Sequence, residues 1–210
     1  MFFEELFRGF VVGLTVSIPV GPIALLILRR SMLDGRLAGI LSGLGAATAD
    51  LICGAAIALG LTVITRTIEL HPHLVRLIGG ILMIGMGIHT LLSKTVGEAK
   101  RPVHEQNLAI AYFSTAALTL ANPLTFMGMT FVGAAAGIGG NELSPASTGF
   151  LVAGISLGSA TWWLALSCSA AWLGRKLGDR TLHVINFWAG ILIVAFGLFQ
   201  LGLLIKGYLP

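Results

Sequence analysis

Apolar residues run along this chain in stretches too long for the helices of a soluble core. Gly9 to Leu28, Leu37 to Thr65, Leu77 to Ser93, Gln106 to Asn141, Leu143 to Gly174 and Thr181 to Ile205 contain no Asp, Glu, Lys or Arg, with Asp50 as the one exception. A helix needs about 20 mostly apolar residues to cross a bilayer, so the pattern predicts six spans. Ten-residue segments of alternating polarity, the mark of a lipid-facing β-barrel, do not occur. The expected fold is therefore an all-α integral membrane protein, a single transmembrane domain over residues 1–210.

The third and sixth stretches repeat each other. GGILMIGMGIHTLL from Gly79 aligns with AGILIVAFGLFQLG from Ala189, and Gly80, Ile81, Leu82, Gly87 and Leu91 meet identical residues 110 positions later. Gly39 and Gly149 join the second stretch to the fifth at the same offset, and TVSIPVGP in the first resembles TLANPLTF in the fourth, with Pro19 on Pro123. The reading is two repeats, about 6–93 and about 109–206, joined by a polar cytoplasmic linker at about 94–108. Three spans per half is an odd number, so the halves enter the membrane in opposite directions. Inverted repeats of this kind place a substrate site at the midplane between them.

Two spans carry breaks. Pro19, Gly21 and Pro22 fall within the first and Asn122-Pro123 within the fourth. Proline removes an N–H and clashes with the preceding turn, and backbone freed inside a bilayer must be satisfied by protein, water or ligand. Interrupted helices at corresponding places in two halves point to a binding site, and their exposed N–H groups suit a carboxylate. Kinks used only for packing are the alternative. Asp50 lies on a stripe of small residues, Ala38, Ser42, Ala46, Gly54 and Ala58, that lets helices approach closely. An ionisable group at that depth faces a cavity and acts there by default; a carboxylate packed between helices and bonded to a Ser or Thr is the alternative. In the fifth span Thr161 falls near the position equivalent to Asp50, and Trp162, of the pair Trp162-Trp163, is the candidate to line the cavity.

Composition agrees. The chain is 56% apolar and only 10% charged, with a mean hydropathy of +0.92, against roughly 25% charged residues in a soluble domain. Of the 13 basic residues, nine (Arg29, Arg30, Arg36, Lys94, Lys100, Arg101, Arg175, Lys176, Arg180) fall on one side of a six-span topology and four (Arg8, Arg66, Arg76, Lys206) on the other. The positive-inside rule puts the nine in the cytoplasm and both termini outside. These cations form small separate clusters, not the stripe a nucleic-acid surface needs. Glu4 and Glu5 open the chain where a signal peptide would be basic. Cys53 and Cys168 lie outside any C-x-x-C motif. His71, His73 and His104 read as solvated, and His89 as a packed histidine in the third span. No metal site, cofactor or catalytic residue is expected.

At Pro19-Val20-Gly21-Pro22, Arg29-Arg30, Gly35-Arg36-Leu37-Ala38-Gly39, the glycine-rich run Gly43 to Asp50, and Asn122-Pro123-Leu124-Thr125, the chain resembles the lysine exporter (LysE/RhtB) family over nearly its whole length. Ala49 stands where many members have Gly before the Asp. The resemblance implies a transporter, not an enzyme. It would sit in a bacterial cytoplasmic membrane and export a small amino acid or related zwitterionic metabolite in exchange for protons, with the lipid bilayer as its other partner; the small-residue helix faces leave surface for a homodimer. Asp50 would bind the substrate ammonium or carry the proton, and the broken helices would hold the carboxylate. Two other readings stay open: a divalent-cation exporter, which needs several hard oxygen ligands, and a thiol-redox conduit through Cys53 and Cys168, which needs the two sulfurs to meet.

Overall fold

The computed structural model describes residues 2–18, 21–58, 72–92, 105–135 and 144–206. Pro19, His71, His104 and the linker up to residue 104 lie outside the described residues. The described chain is helical: α1 (Phe2–Ser17), α2 (Pro22–Leu33), α3 (Arg36–Ala58), α4 (Pro72–Leu92), α5 (Glu105–Leu120), α6 (Pro123–Ala135), α7 (Pro145–Gly174) and α8 (Asp179–Lys206).

The two expected breaks divide helices. α1 and α2 meet at 83°, and the apolar parts of α5 and α6 at 63°. Both second segments start alike, with a proline in the first turn, where its missing N–H leaves no bond unmade. Gly21 stands before Pro22 as N-cap, and Asn122 stands before Pro123. Pro22 and Pro123 thus open their segments in the same way; Pro19, which the sequence alignment sets on Pro123, lies outside the described residues. By length and composition α3, α7 and Arg180–Leu204 of α8 can each cross a membrane, and counting each bent pair as one span makes five. The third expected span is described as α4, whose apolar part, Leu77–Leu92, is shorter than these. Large apolar side chains stand exposed around the outside, among them Phe113, Phe131, Trp188 and Phe199. So extensive an apolar surface is suited to lipid.

Glycine sets how closely the helices approach. α1 runs parallel to α7: a Cβ on Gly9 or Gly13 would fall on the backbone carbonyl of Leu151 or Ile155, and one on Gly154 or Gly158 on that of Leu6 or Phe10. α4 and α8 cross antiparallel, Gly80 against Gly197 and Gly87 against Gly190. The flanking side chains obey one displacement: Ile84 covers Gly197 as Val194 covers Gly87, and Leu91 covers Gly190 as Leu201 covers Gly80, each residue exchanged for the one 110 positions away. The small-residue stripe of α3 faces protein as its pattern requires, with Ala38, Ser42, Ala46, Asp50 and Gly54 buried and Ala58 half-buried. It packs antiparallel on α7, where the Ser167 hydroxyl donates to the Gly39 carbonyl at 3.0 Å, and parallel to α5, where Gly45 meets the Tyr112 carbonyl. Between α2 and α3 the chain reverses at Gly35, whose φ of 101° favours glycine.

The crossings make a test of packing. Gly13→Val should cost about 1–3 kcal/mol or more through overpacking and lower the midpoint of thermal unfolding in detergent. Gly149→Ala, with open space around the new methyl, should hold or raise that midpoint, since alanine is worth up to about 1 kcal/mol over glycine inside a helix.

Candidate functional site

Asp50 sits midway along α3, 2% exposed. A buried carboxylate must be given donors or it destabilises the fold by several kcal/mol. Three are present, and all converge on one oxygen, Oδ2: the Ser159 hydroxyl at 2.5 Å, the Trp163 indole N–H at 3.2 Å and the Ser17 hydroxyl at 3.4 Å. Ser159 and Trp163 stand four apart on α7, hence on one face of the helix. Ser17 is the last residue of α1, so the carboxylate rests against the end of the first half-helix, beside the break.

Two apolar clusters enclose this level. Toward the end of the molecule that holds the Gly35 turn lie Ile23, Ala24, Leu26, Ile27, Ala46, Ala47, Leu118 and Trp163, with Met83 and Ile193. Toward the end that holds the start of α1 lie Val12, Cys53, Phe126, Met129, Leu151 and Ile155. Along α3 the order is Ala46 and Ala47, then Asp50, then Cys53; along α7 it is Ile155, then Ser159, then Trp163. The second break falls at the same level, because Leu118 before it belongs to the first cluster and Phe126 after it to the second. Asn122 is buried there, its amide donating to the Thr125 hydroxyl at 3.1 Å, and its carbonyl accepts from Thr125 N–H at 3.1 Å. The polar level is thus a carboxylate and two helix breaks shut between two apolar plugs.

Gly21, Pro22 and Asn122 are placed at this level with Asp50. Thr161 is not: its side chain is exposed and its hydroxyl donates to the Leu157 carbonyl of its own helix at 2.7 Å. Trp162 packs against the first cluster, and its indole Nε1 is buried with no hydrogen-bond partner among the described residues. It is Trp163, one residue on, that reaches the carboxylate. The pairing of Ser159 with Trp163 was readable only by matching their i,i+4 spacing to the antiparallel stripe of α3. His89 stands on the exposed side of α4. The two thiols lie apart: Cys168 accepts from Arg36 at 3.6 Å at the start of α3, whereas Cys53 is near that helix's other end.

Sequence reasoning also missed a pair of arginines. Read as cytoplasmic charges that report orientation, Arg29 and Arg30 are buried in α2. Arg29 bonds Asp34 at 2.8 Å and the Asn186 side chain at 2.7 Å, and the Asn186 amide donates to the Thr90 carbonyl at 2.9 Å, tying α2 to α8 and α4. Arg30 follows Ile23, Leu26 and Ile27 at helical spacing, and that periodicity was the available sign that it faces inward.

A model of the LysE type translocators matches residues 14–203. The chain belongs to this family. No curated protein and no solved structure matches it. The translocator is a multi-pass membrane protein, and its family carries small molecules across the bilayer.

The site makes a prediction about the fold. Asp50→Asn keeps an oxygen acceptor for Ser159 and Trp163 and removes a carboxylate from a dry interior, so the thermal midpoint of the purified translocator should hold or rise. Asp50→Leu strands the Ser159 hydroxyl and the Trp163 indole N–H, each worth about 1–3 kcal/mol when left unpaired, and should lower it; the Ser17 hydroxyl keeps the Gly13 carbonyl at 2.8 Å. A clear fall with Asn would mean that the charge itself holds the helices together.

Proposed function

We propose that this translocator is a secondary active exporter of a small amino acid or related zwitterionic metabolite, working by proton antiport across the cytoplasmic membrane. The observation that carries the reading is the single carboxylate held between two apolar plugs at the level of two broken helices. A proton and a substrate ammonium compete for one carboxylate, so loading either excludes the other. That competition is the simplest form of exchange, and it shifts the protein between states only as far as each ligand prefers one of them. Asp50 takes the ammonium or the proton. The N-terminal ends of α2, at Gly21 and Pro22, and of α6, at Asn122 and Pro123, offer N–H groups to the carboxylate. The orphan indole N–H of Trp162 is a further donor facing the first plug. The sequence break at Pro19, next to Gly21, serves as the hinge.

Two inverted three-helix repeats, α1 to α4 and α5 to α8, are part of the proposal. What supports them is that the packing survives exchange of the halves. α1 lies parallel to α7 as α5 lies parallel to α3, while α4 and α8 exchange equivalent residues across their crossing, as a self-complementary two-fold contact does. With both termini outside, the plug beside the Gly35 turn is the cytoplasmic one. Opening one plug at a time, by tilting half-helices at the breaks, would give alternating access. A divalent cation would need several hard oxygen ligands, and among the described residues no three His, Cys, Asp or Glu side chains gather to hold one.

The test is efflux from proteoliposomes loaded with a mixed amino-acid pool under an imposed proton gradient. Wild type is expected to release one or a few amino acids in step with the gradient. Asp50→Asn, folded, is expected to lose the gradient dependence, and no efflux from folded wild type would end the amino-acid reading.

A further inference from the structure

Arg30 is 7% exposed, and its guanidinium meets no acid among the described residues. Nη1 donates to the Ser42 hydroxyl at 3.0 Å, the Ala111 carbonyl at 2.9 Å and the Thr115 hydroxyl at 2.8 Å; Nη2 donates to the Ser114 hydroxyl at 2.9 Å. Every partner is neutral. Asp34, the acid nearest in sequence, is bonded to Arg29 instead.

The five N–H donors of arginine lie in one plane. The bonds present engage Nη1 and one hydrogen of Nη2. Nε and Nη2 form a second edge of the guanidinium, and no bond to Nε exists among the described residues. That edge is the fork that matches the two oxygens of a carboxylate. A clamp between α2, α3 and α5 explains the four bonds made but not the unused edge. A buried cation is costly to keep, and the acid that acts on Arg30, Asp34, is bonded to Arg29.

We propose that the Nε–Nη2 edge of Arg30 is a carboxylate-binding subsite, the station at which the exported solute is first held by its acid group. That the ligand is the exported solute rests on the export reading above. Ser42, which bonds Arg30, lies two turns from Asp50 on α3, about 12 Å along the axis at 1.5 Å per residue. The apolar plug around Ala46 and Ala47 lies between them. An α-amino acid, whose two charges are much closer together, engages Arg30 and Asp50 in succession and not at once. Arg30 selects the acid group on the side of the Gly35 turn, and Asp50 receives the ammonium once the plug has opened.

The experiment reads the arginine directly. Translocator with ¹⁵N-labelled arginine side chains is titrated with sodium acetate, sodium chloride and methylammonium chloride, following the Arg30 Nε–H resonance. The signal is assigned by its loss in Arg30→Lys and, independently, by its perturbation in Ser114→Ala. Acetate is expected to shift it saturably, with no shift from chloride or methylammonium, and Ser114→Ala is expected to keep the acetate response because the fork is intact. An Arg30 signal unmoved by acetate, or moved equally by chloride, overturns the subsite and leaves a structural clamp. A saturable acetate shift in a protein that releases no amino acid from proteoliposomes would keep the subsite and remove the export reading; efflux without an acetate shift would do the reverse.

Discussion

A carboxylate shut away from water has to be supplied with donors, and the helices around Asp50 are arranged so that they supply them. Ser159 and Trp163 come from one face of α7, and Ser17 from the last turn of α1. α1 ends at Ser17, so the bend between α1 and α2 falls beside the buried carboxylate. Hydrogen bonds to a charged group are worth roughly 1.5–3 kcal/mol each, so three of them offset much of what burial costs without making the site inert. Hydroxyls rotate, and a cationic ligand can replace them.

That arrangement depends on backbones lying very close together. Between α1 and α7 the glycines alternate, Gly9 and Gly13 on one helix against Gly154 and Gly158 on the other, so each backbone rests against the other with no side chain between. In a bilayer, where lipid tails are as apolar as leucine, such van der Waals contact is a main source of helix association. The α4–α8 crossing uses the same device at Gly80, Gly87, Gly190 and Gly197. The clusters on either side of Asp50 then hang on helices that bend at proline breaks.

Much of this was legible in the chain. The apolar stretches became helices, the two proline breaks became bends, and the stripe through Asp50 turned inward, because each follows from local chemistry: burial of apolar surface, the missing proline N–H, the small side chains that let backbones touch. The four-glycine crossing was present in the repeat of Gly80 and Gly87 at Gly190 and Gly197. What failed was finer. Thr161 was placed by offset, and an offset good to one residue is too coarse on a helix, where one residue turns a side chain by 100°. Arg29 and Arg30 were read by charge, and charge says solvent. Their surroundings are hydroxyls and carbonyls on α3, α5 and α8, far away in sequence, and no local pattern announces a partner on another helix. Gly21-Pro22 and Asn122-Pro123 start their half-helices in the same way, a likeness that appears only in the geometry.

The two buried ionic features differ in a way that bears on direction. Asp50 lies between plugs, at the level of both breaks, so any tilt of the half-helices changes its surroundings. Arg30 lies beyond the plug, on a helix tied by Arg29 to Asn186 and Thr90 on one side and by its own Nη1 to Ser42, Ala111 and Thr115 on the other. Bonds from the two arginines reach α3, α5 and α8, so the end of α2 cannot swing without breaking charge-assisted hydrogen bonds. Hydrogen bonds to a charged group are each worth about 1.5–3 kcal/mol net. They hold the closed arrangement in the absence of ligand, and binding at either charged group can repay their loss. A salt bridge in the same place would be harder to open and would leave no guanidinium edge for a ligand.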